Sequence, residues 1–555
     1  MRTRTEVSPE KLRGGFYSPD PLVNVCLDRA FSLVERSDQL SILEPSAGDG
    51  AFIRGIAQHP QRDVVANIEA VEIIPSEAAK VADEIERLSL PGKVVNGSFL
   101  NWYNHDDSEY DIVLANPPYV RFQFISEEDK QRAKTLTATL GVTGSAVSNL
   151  WIPIFLLALD KLREGGSFSV ILPLEFLTGI SASRVRSWLL TNTTDLTIDL
   201  FRPGTFPAVL QEVLVLSGRK TTPVQSENAI VTFQDRNGGV RTWTHRVTQT
   251  AKTWTGYLLT PSQESALVQA RSLTGVAPLG SIARFSVSTV TGANAYFCVS
   301  DATLKNQGLK EWALPLLSRS RHAKGLVFSK KDQQRLHQSD YPSWLLSFSA
   351  DRTSPEKNPQ ALQYLQEGVE IGLDQRYKCR VRSPWYRVPV VQAGDLLLSK
   401  RSNRFPRVIA NHAKAITTDT IYRGQMLAGV QGTANDLTAS FHNSLTLLSA
   451  EVEGRSFGGG VLELVPSEVS SLLVPLSPQA HEYLPELDAL TRQSSNEEDL
   501  IIATDRMIAS LFPELDATTL DILRGARESL MARRLDRSTA PFYTDNSPEL
   551  ATSAV

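Results

Sequence analysis

The sequence predicts an α/β fold: a doubly wound sheet through residue 220, then a mixed α+β region that ends in helices. Three observations predict it. Short β-type runs alternate with helix-type stretches over the first part of the chain. The first run ends in a glycine-containing turn that opens a helix. Past residue 260 the alternation stops, and short strands, Gly, Pro and aromatic residues dominate up to residue 475.

In order, strand-like runs fall at 41–43, 67–71, 93–96, 111–115, 167–172, 197–200 and 212–216. Helix-like stretches between them include 76–87 and 150–162. Strands joined through helices run parallel, and such sheets bind ligands at the carboxyl ends of the strands. Residues 1–220 therefore read as one domain, and the polar, turn-rich residues 221–260 as a boundary. Residues 261–534 read as a second domain, helical from Pro478 onward, and 535–555 as a disordered tail.

Composition narrows the class. Of 555 residues, 41% are hydrophobic and 21% charged, which excludes a mainly disordered chain. Cys26, Cys298 and Cys379 are too few and too scattered for a disulfide scaffold or a zinc site, so no metal is expected. No apolar run approaches the roughly 18 residues of a membrane span. The charged N-terminus lacks an apolar segment behind it, so a cytoplasmic setting is expected.

The glycine turn is Ser41-Ile-Leu-Glu-Pro-Ser-Ala-Gly-Asp-Gly50. Gly48 and Gly50 permit backbone conformations that a β-carbon hinders, and they let a ligand approach the main chain. Glu44 and Asp49 would repel a phosphate, so the turn suits a ligand ammonium better. Glu72 ends the second strand, where an acid can bond ribose hydroxyls. Ser98 and Phe99 follow the third, and Phe99 is placed to flank a purine ring.

Tyr110-Asp-Ile-Val-Leu-Ala-Asn-Pro-Pro-Tyr119 is the most informative segment. Two prolines stiffen the turn after a strand and remove donors from it. The Asn116 side-chain oxygen and the Pro117 carbonyl can then accept both hydrogens of one amino group. Tyr119 offers a face for stacking a planar base.

These residues resemble the S-adenosylmethionine-dependent amino-methyltransferases, specifically γ-class (TaqI-like) DNA adenine-N6 methyltransferases of type II restriction–modification systems. The order of motifs carries the resemblance. Gly15-Phe-Tyr-Ser-Pro19 precedes the glycine turn, which implies that Tyr17, Ser18 and Pro19 contact the cofactor with Glu44, Ser46, Gly48, Asp49, Gly50, Glu72, Ser98, Phe99 and Asn116. Asn116, Pro117 and Tyr119 are then catalytic. Phe206, in Pro203-Gly-Thr-Phe-Pro-Ala-Val-Leu-Gln-Glu-Val213, stacks with Tyr119 on the target base. Ser98 stands where relatives often carry Asp, a stronger acceptor. The resemblance implies a Rossmann-like methyltransferase sheet followed by a target-recognition domain.

Extruding a base from a duplex requires a DNA-reading surface. Between Glu311 and Ala410 there are 17 Lys and Arg against nine Asp and Glu, although the whole chain carries −4. Candidate DNA contacts are Arg376, Lys378, Arg380, Arg382, Arg387, Lys400, Arg401, Arg404 and Arg407. Val287-Ser-Thr-Val-Thr-Gly-Ala-Asn-Ala-Tyr-Phe297 and the segment around Arg376 resemble the same family's target-recognition half. The expected partners are double-stranded DNA and a separate cognate restriction endonuclease, with the chain a monomer. A protein glutamine-N5 methyltransferase, or the methyltransferase part of a larger phage-defence complex, is the alternative.

Overall fold

The computed structural model describes residues 18–144, 147–201, 212–223, 228–236, 240–349, 353–457, 460–494 and 496–539. It divides into two compact units, the second being Ser262–Leu535 and the first taking the residues on either side of it.

The first unit is built on nine strands: β1 (Leu40–Glu44), β2 (Val65–Glu72), β3 (Gly92–Asn96), β4 (Tyr110–Ala115), β5 (Leu162–Pro173), β6 (Thr193–Leu200), β7 (Val213–Lys220), β8 (Asn228–Asp235) and β9 (Arg241–Thr248). Their spatial order is β3-β2-β1-β4-β5-β7-β6-β8-β9. Strands β1 to β5 pair in parallel, and β7 inserts antiparallel between β5 and β6. The helices that matter for the site are α1 (Asp20–Leu33), α2 (Ala51–Gln58), α3 (Pro75–Arg87), α4 (Phe99–Trp102), α5 (Glu127–Thr139) and α6 (Trp151–Asp160).

Both faces of the sheet are buried, which is why its central strands read as apolar runs rather than alternating ones. Ile42, Ile112 and Ile171 pack in one core with Leu27 of α1 and Ile53 of α2. Their neighbours Leu43, Val113 and Leu172 face the other core, with Phe155 and Leu156 of α6. A one-residue slip in any of these strands would exchange the two sets.

The stretch 221–260, expected as a boundary, instead supplies β8 and β9 to the same sheet. β8 pairs in parallel with β6, and β9 closes the edge against β8. Beyond them Arg186, almost wholly buried, donates to the carbonyls of Phe176, Gly179 and Lys252, and its guanidinium lies over the Trp254 ring. These bonds fasten residues 252–254 to the first unit. The composition misled because an edge hairpin is polar on its exposed face: Val231, Phe233, His245 and Val247 point inward while their neighbours remain partly exposed.

The second unit, Ser262–Leu535, is mixed. A four-stranded sheet joins Ala283–Ser286, Ile421–Met426, Leu396–Ser399 and Val408–Ala410. Helices Leu484–Gln493, Glu498–Leu511 and Ala517–Thr539 follow. The last helix runs to Thr539, past the point where a tail was expected, and its buried Arg527 and Arg534 bond Glu498 and Glu451. Residues 540–555 lie outside the described residues. Among the described residues no helix is long and apolar enough to cross a membrane.

Candidate functional site

The chain leaves β1 toward β2 on one side and reaches β4 on the other, so the strand order reverses between β1 and β4. That reversal opens a crevice at the carboxyl ends of the two strands. A cavity of about 430 Å³ lies there, lined by Ser18, Glu44, Ser46, Gly48, Asp49, Glu72, Ser98, Phe99 and Asn116, among others. Nearly every expected ligand residue among those described therefore converges on one space. Pro19, Gly50, Pro117 and Tyr119 are not among its lining residues. Tyr17 and Phe206 lie outside the described residues.

The glycine turn is shaped by its backbone. Gly48 (φ 56) and Gly50 (φ 81) take left-handed conformations that side chains disfavour, and Gly50 caps α2. The Gly48 N–H donates to Glu72 Oε2 at 2.8 Å, and the Ile74 N–H donates to Glu72 Oε1 at 2.8 Å. The Glu72 carbonyl accepts from the Gly97 N–H and from Asn96 Nδ2, both at 2.9 Å. One residue thus ties together the loops after β1, β2 and β3. Its carboxylate keeps further lone pairs for ligand hydroxyls.

Glu44 is buried (2% exposed), and its Oε2 has no hydrogen-bond partner. Burial holds its proton well above the usual carboxylate range; the charges of Asp49 and Glu72 add to that shift and Arg54 opposes it. Arg54 itself is engaged with the Asp49 carboxylate at 2.7 Å. An unpartnered buried carboxyl facing a cavity suits a cationic ligand group. Phe99, stacked on Trp102 with centroids 5.3 Å apart, gives an apolar wall. The residues fit a nucleoside that carries an ammonium.

Sequence reasoning missed part of this wall. Ile73, 64% exposed, Leu100, Ile125, Leu150 and Ile154 line the cavity, as do Glu77 and Asp129. Ile73 was legible in principle: an apolar residue after a strand tip and before Pro75 has no core to enter. Ile125 and Asp129 come from a separate loop and from α5, and nothing local marks them.

Asn116 is held on three sides. Its Nδ2 donates to Ser18 Oγ at 3.0 Å, its Oδ1 accepts the Tyr119 hydroxyl at 3.2 Å, and its carbonyl accepts Ser46 Oγ at 3.3 Å. The Tyr119 hydroxyl also lies 3.1 Å from the Ile171 carbonyl of β5. One phenolic hydrogen thus has two acceptors and can serve either. The Tyr119 ring is half-buried against both cores, and burial raises its pKa well above the usual tyrosine value.

The basic residues of the second unit separate into two groups. Arg376, Lys378, Arg380 and Arg387 are exposed. Arg382 instead donates to the carbonyls of Val290 and Thr291 at 2.8 and 2.7 Å. Arg407 donates to those of Ala323 and Gly325 at 3.0 and 2.7 Å, and burial lowers its pKa. Both are struts with guanidinium N–H groups committed to main-chain carbonyls, unlike the exposed Arg376, Lys378, Arg380 and Arg387. Lys400 and Arg401 pair with Glu463, and Arg404 lies near Glu497 and Glu498. A cluster that the sequence did not single out surrounds His322, which stacks on Tyr341 (centroids 4.3 Å). Burial and the nearby charges of Arg321, Arg319 and Lys324 push His322 down to about 4.

The strand order, the glycine turn and the acidic cavity at the reversal define a class I methyltransferase fold. The fold is similar to that of the type IIL restriction-modification enzyme MmeI, solved in complex with DNA: the TM-score is 0.51 at 12% identity, over 93% of this chain and 74% of that one. Residues 66–205 match the family model of the Eco57I restriction-modification methylase. Residues 251–509 match that of the C-terminal domain of the type II methyltransferase M.Eco57I. The chain is 24% identical over 476 residues to the type II methyltransferase M.AccI of Acinetobacter calcoaceticus, 82% of this chain and 84% of that protein. It is 28% identical over 218 residues to M.HincII of Haemophilus influenzae, 39% of each. The chain is a DNA methyltransferase of the type II restriction–modification class.

Proposed function

We propose that the chain methylates N6 of an adenine flipped out of double-stranded DNA, drawing the methyl group from S-adenosylmethionine, as a γ-class modification enzyme that protects its site from a cognate endonuclease. The observation that carries this reading is the Asn116 carboxamide, fixed by Ser18 and Tyr119 at the edge of the acidic cavity.

Glu44 would hold the cofactor ammonium, Glu72 its ribose hydroxyls, and Ile73 and Phe99 the faces of its adenine. When bound, S-adenosylmethionine supplies an electrophilic methyl group on a sulfonium. Asn116 Oδ1 and the Pro117 carbonyl accept the two hydrogens of the target amino group, which turns its lone pair toward the methyl. As Oδ1 engages the target, the Tyr119 hydrogen passes to the Ile171 carbonyl, so no buried donor is left unpaired. Tyr119 and Phe206 bracket the extruded base. The rate then comes from positioning and from dipoles fixed in advance. Arg376, Lys378, Arg380 and Arg387 supply phosphate contacts from the second unit.

The test is methylation-sensitive long-read sequencing of DNA from cells that express the chain, beside an Asn116→Ala control. N6-methyladenine at one short motif, absent in the control, is the expected result. Unmarked DNA from a folded, expressed protein would overturn the reading and make protein glutamine the next substrate to assay.

A further inference from the structure

Two segments that stand out in the sequence, 287–297 and 376–387, meet in the second unit. Arg382 bonds the carbonyls of Val290 and Thr291, and Cys379 is fully buried. Gly292 (φ 81) lies so close beneath that a β-carbon there would meet Lys378 Cβ at 2.8 Å and Cys379 Sγ at 3.2 Å. The short helix Tyr377–Arg380 is therefore clamped from below.

Its other side points outward. Tyr377 is 66% exposed and Val381 is 65% exposed. Four residues apart, they share one side of the turn. Arg376, Lys378 and Arg380 flank them, with no side-chain hydrogen bond or ion pair among the described residues, and the Lys378 ammonium sits 5.5 Å from the Tyr377 ring centre. Leaving a phenol and a valine in water costs the fold, and three adjacent cations repel one another. The arrangement is repaid by a polyanion that also offers flat apolar faces. Nucleic acid has both: phosphates for the cations and base faces for the ring.

We propose that the 376–381 turn is a rigid wedge on which Tyr377 stacks against a base of the DNA, with Val381 packed beside it and Arg376, Lys378 and Arg380 seated on the flanking phosphates. This rests on DNA being the substrate. A wedge of this kind unstacks a base step and kinks the duplex, which is productive only if its mount does not yield.

The experiment measures binding of the full chain to a duplex carrying the methylated motif, across a salt series. Tyr377→Ala is expected to weaken binding about tenfold or more while leaving the salt slope unchanged. Tyr377→Trp should restore it. Replacing Arg376, Lys378 and Arg380 together by Gln should flatten the slope of log K against log salt by roughly three units. Unchanged affinity in Tyr377→Ala, or a changed slope with no rescue by Trp, overturns the wedge. Unchanged affinity and slope in both variants assign the surface to a protein partner instead. If the wild-type chain marks no DNA at all, the substrate reading has failed, and that is read separately by sequencing.

Discussion

Glu72→Gln isolates the knot beneath the cavity. The wild-type carboxylate accepts two main-chain N–H groups, from Gly48 and Ile74, both at 2.8 Å, and is 6% exposed. A glutamine can present its oxygen to only one of them; its NH₂ then faces the other donor. Hydrogen bonds to a charged group are worth about 1.5–3 kcal/mol each. Losing one should cost about that much in the turn and weaken S-adenosylmethionine roughly tenfold to a hundredfold. Titration calorimetry reads the affinity, and thermal melting of the ligand-free protein reads the turn. Both should fall. If Glu72 merely touched ribose, affinity would drop while the ligand-free melting point stayed put. Unchanged values in both assays would refute its role as organiser.

Two further outcomes follow from single side chains. Tyr119→Phe removes the hydroxyl from Asn116 Oδ1 and the Ile171 carbonyl; turnover should fall about tenfold with cofactor affinity little changed, and steady-state kinetics beside calorimetry checks this. His442 is fully buried, its Nε2 accepts the Val408 N–H, and burial and Arg407 push its pKa down to about 3. The unfolded chain takes up a proton below about pH 6.5 where the folded one does not, so this histidine costs stability as pH falls toward 3. His442→Gln should reduce the acid loss by about 1.4 kcal/mol per pH unit between pH 6 and 4, measured by urea unfolding; a pH-independent difference from wild type would contradict it.

The parallel half of the first sheet was legible because both its faces are buried and its strands are short apolar runs bounded by turns. Asn116, Glu44 and Glu72 were legible because each sits at a strand tip, where sequence order translates directly into position. The edge strands β8 and β9 were not, since one-sided burial leaves them as polar as a linker. Arg382 and Arg407 were indistinguishable by composition from Arg376 and Arg380. What separates them is whether carbonyls from distant loops, around residues 290 and 323, come within reach.

Glu44 gives the cavity a particular property. Burial, the unpartnered oxygen and the charges of Asp49 and Glu72 all favour the protonated form of this carboxyl. A cationic ligand makes the charged form the favoured one. If a cation seats against Glu44, its binding is expected to be coupled to loss of that proton. The expected signature is an affinity that rises with pH and a binding heat that varies with the ionisation heat of the buffer, both read by titration calorimetry.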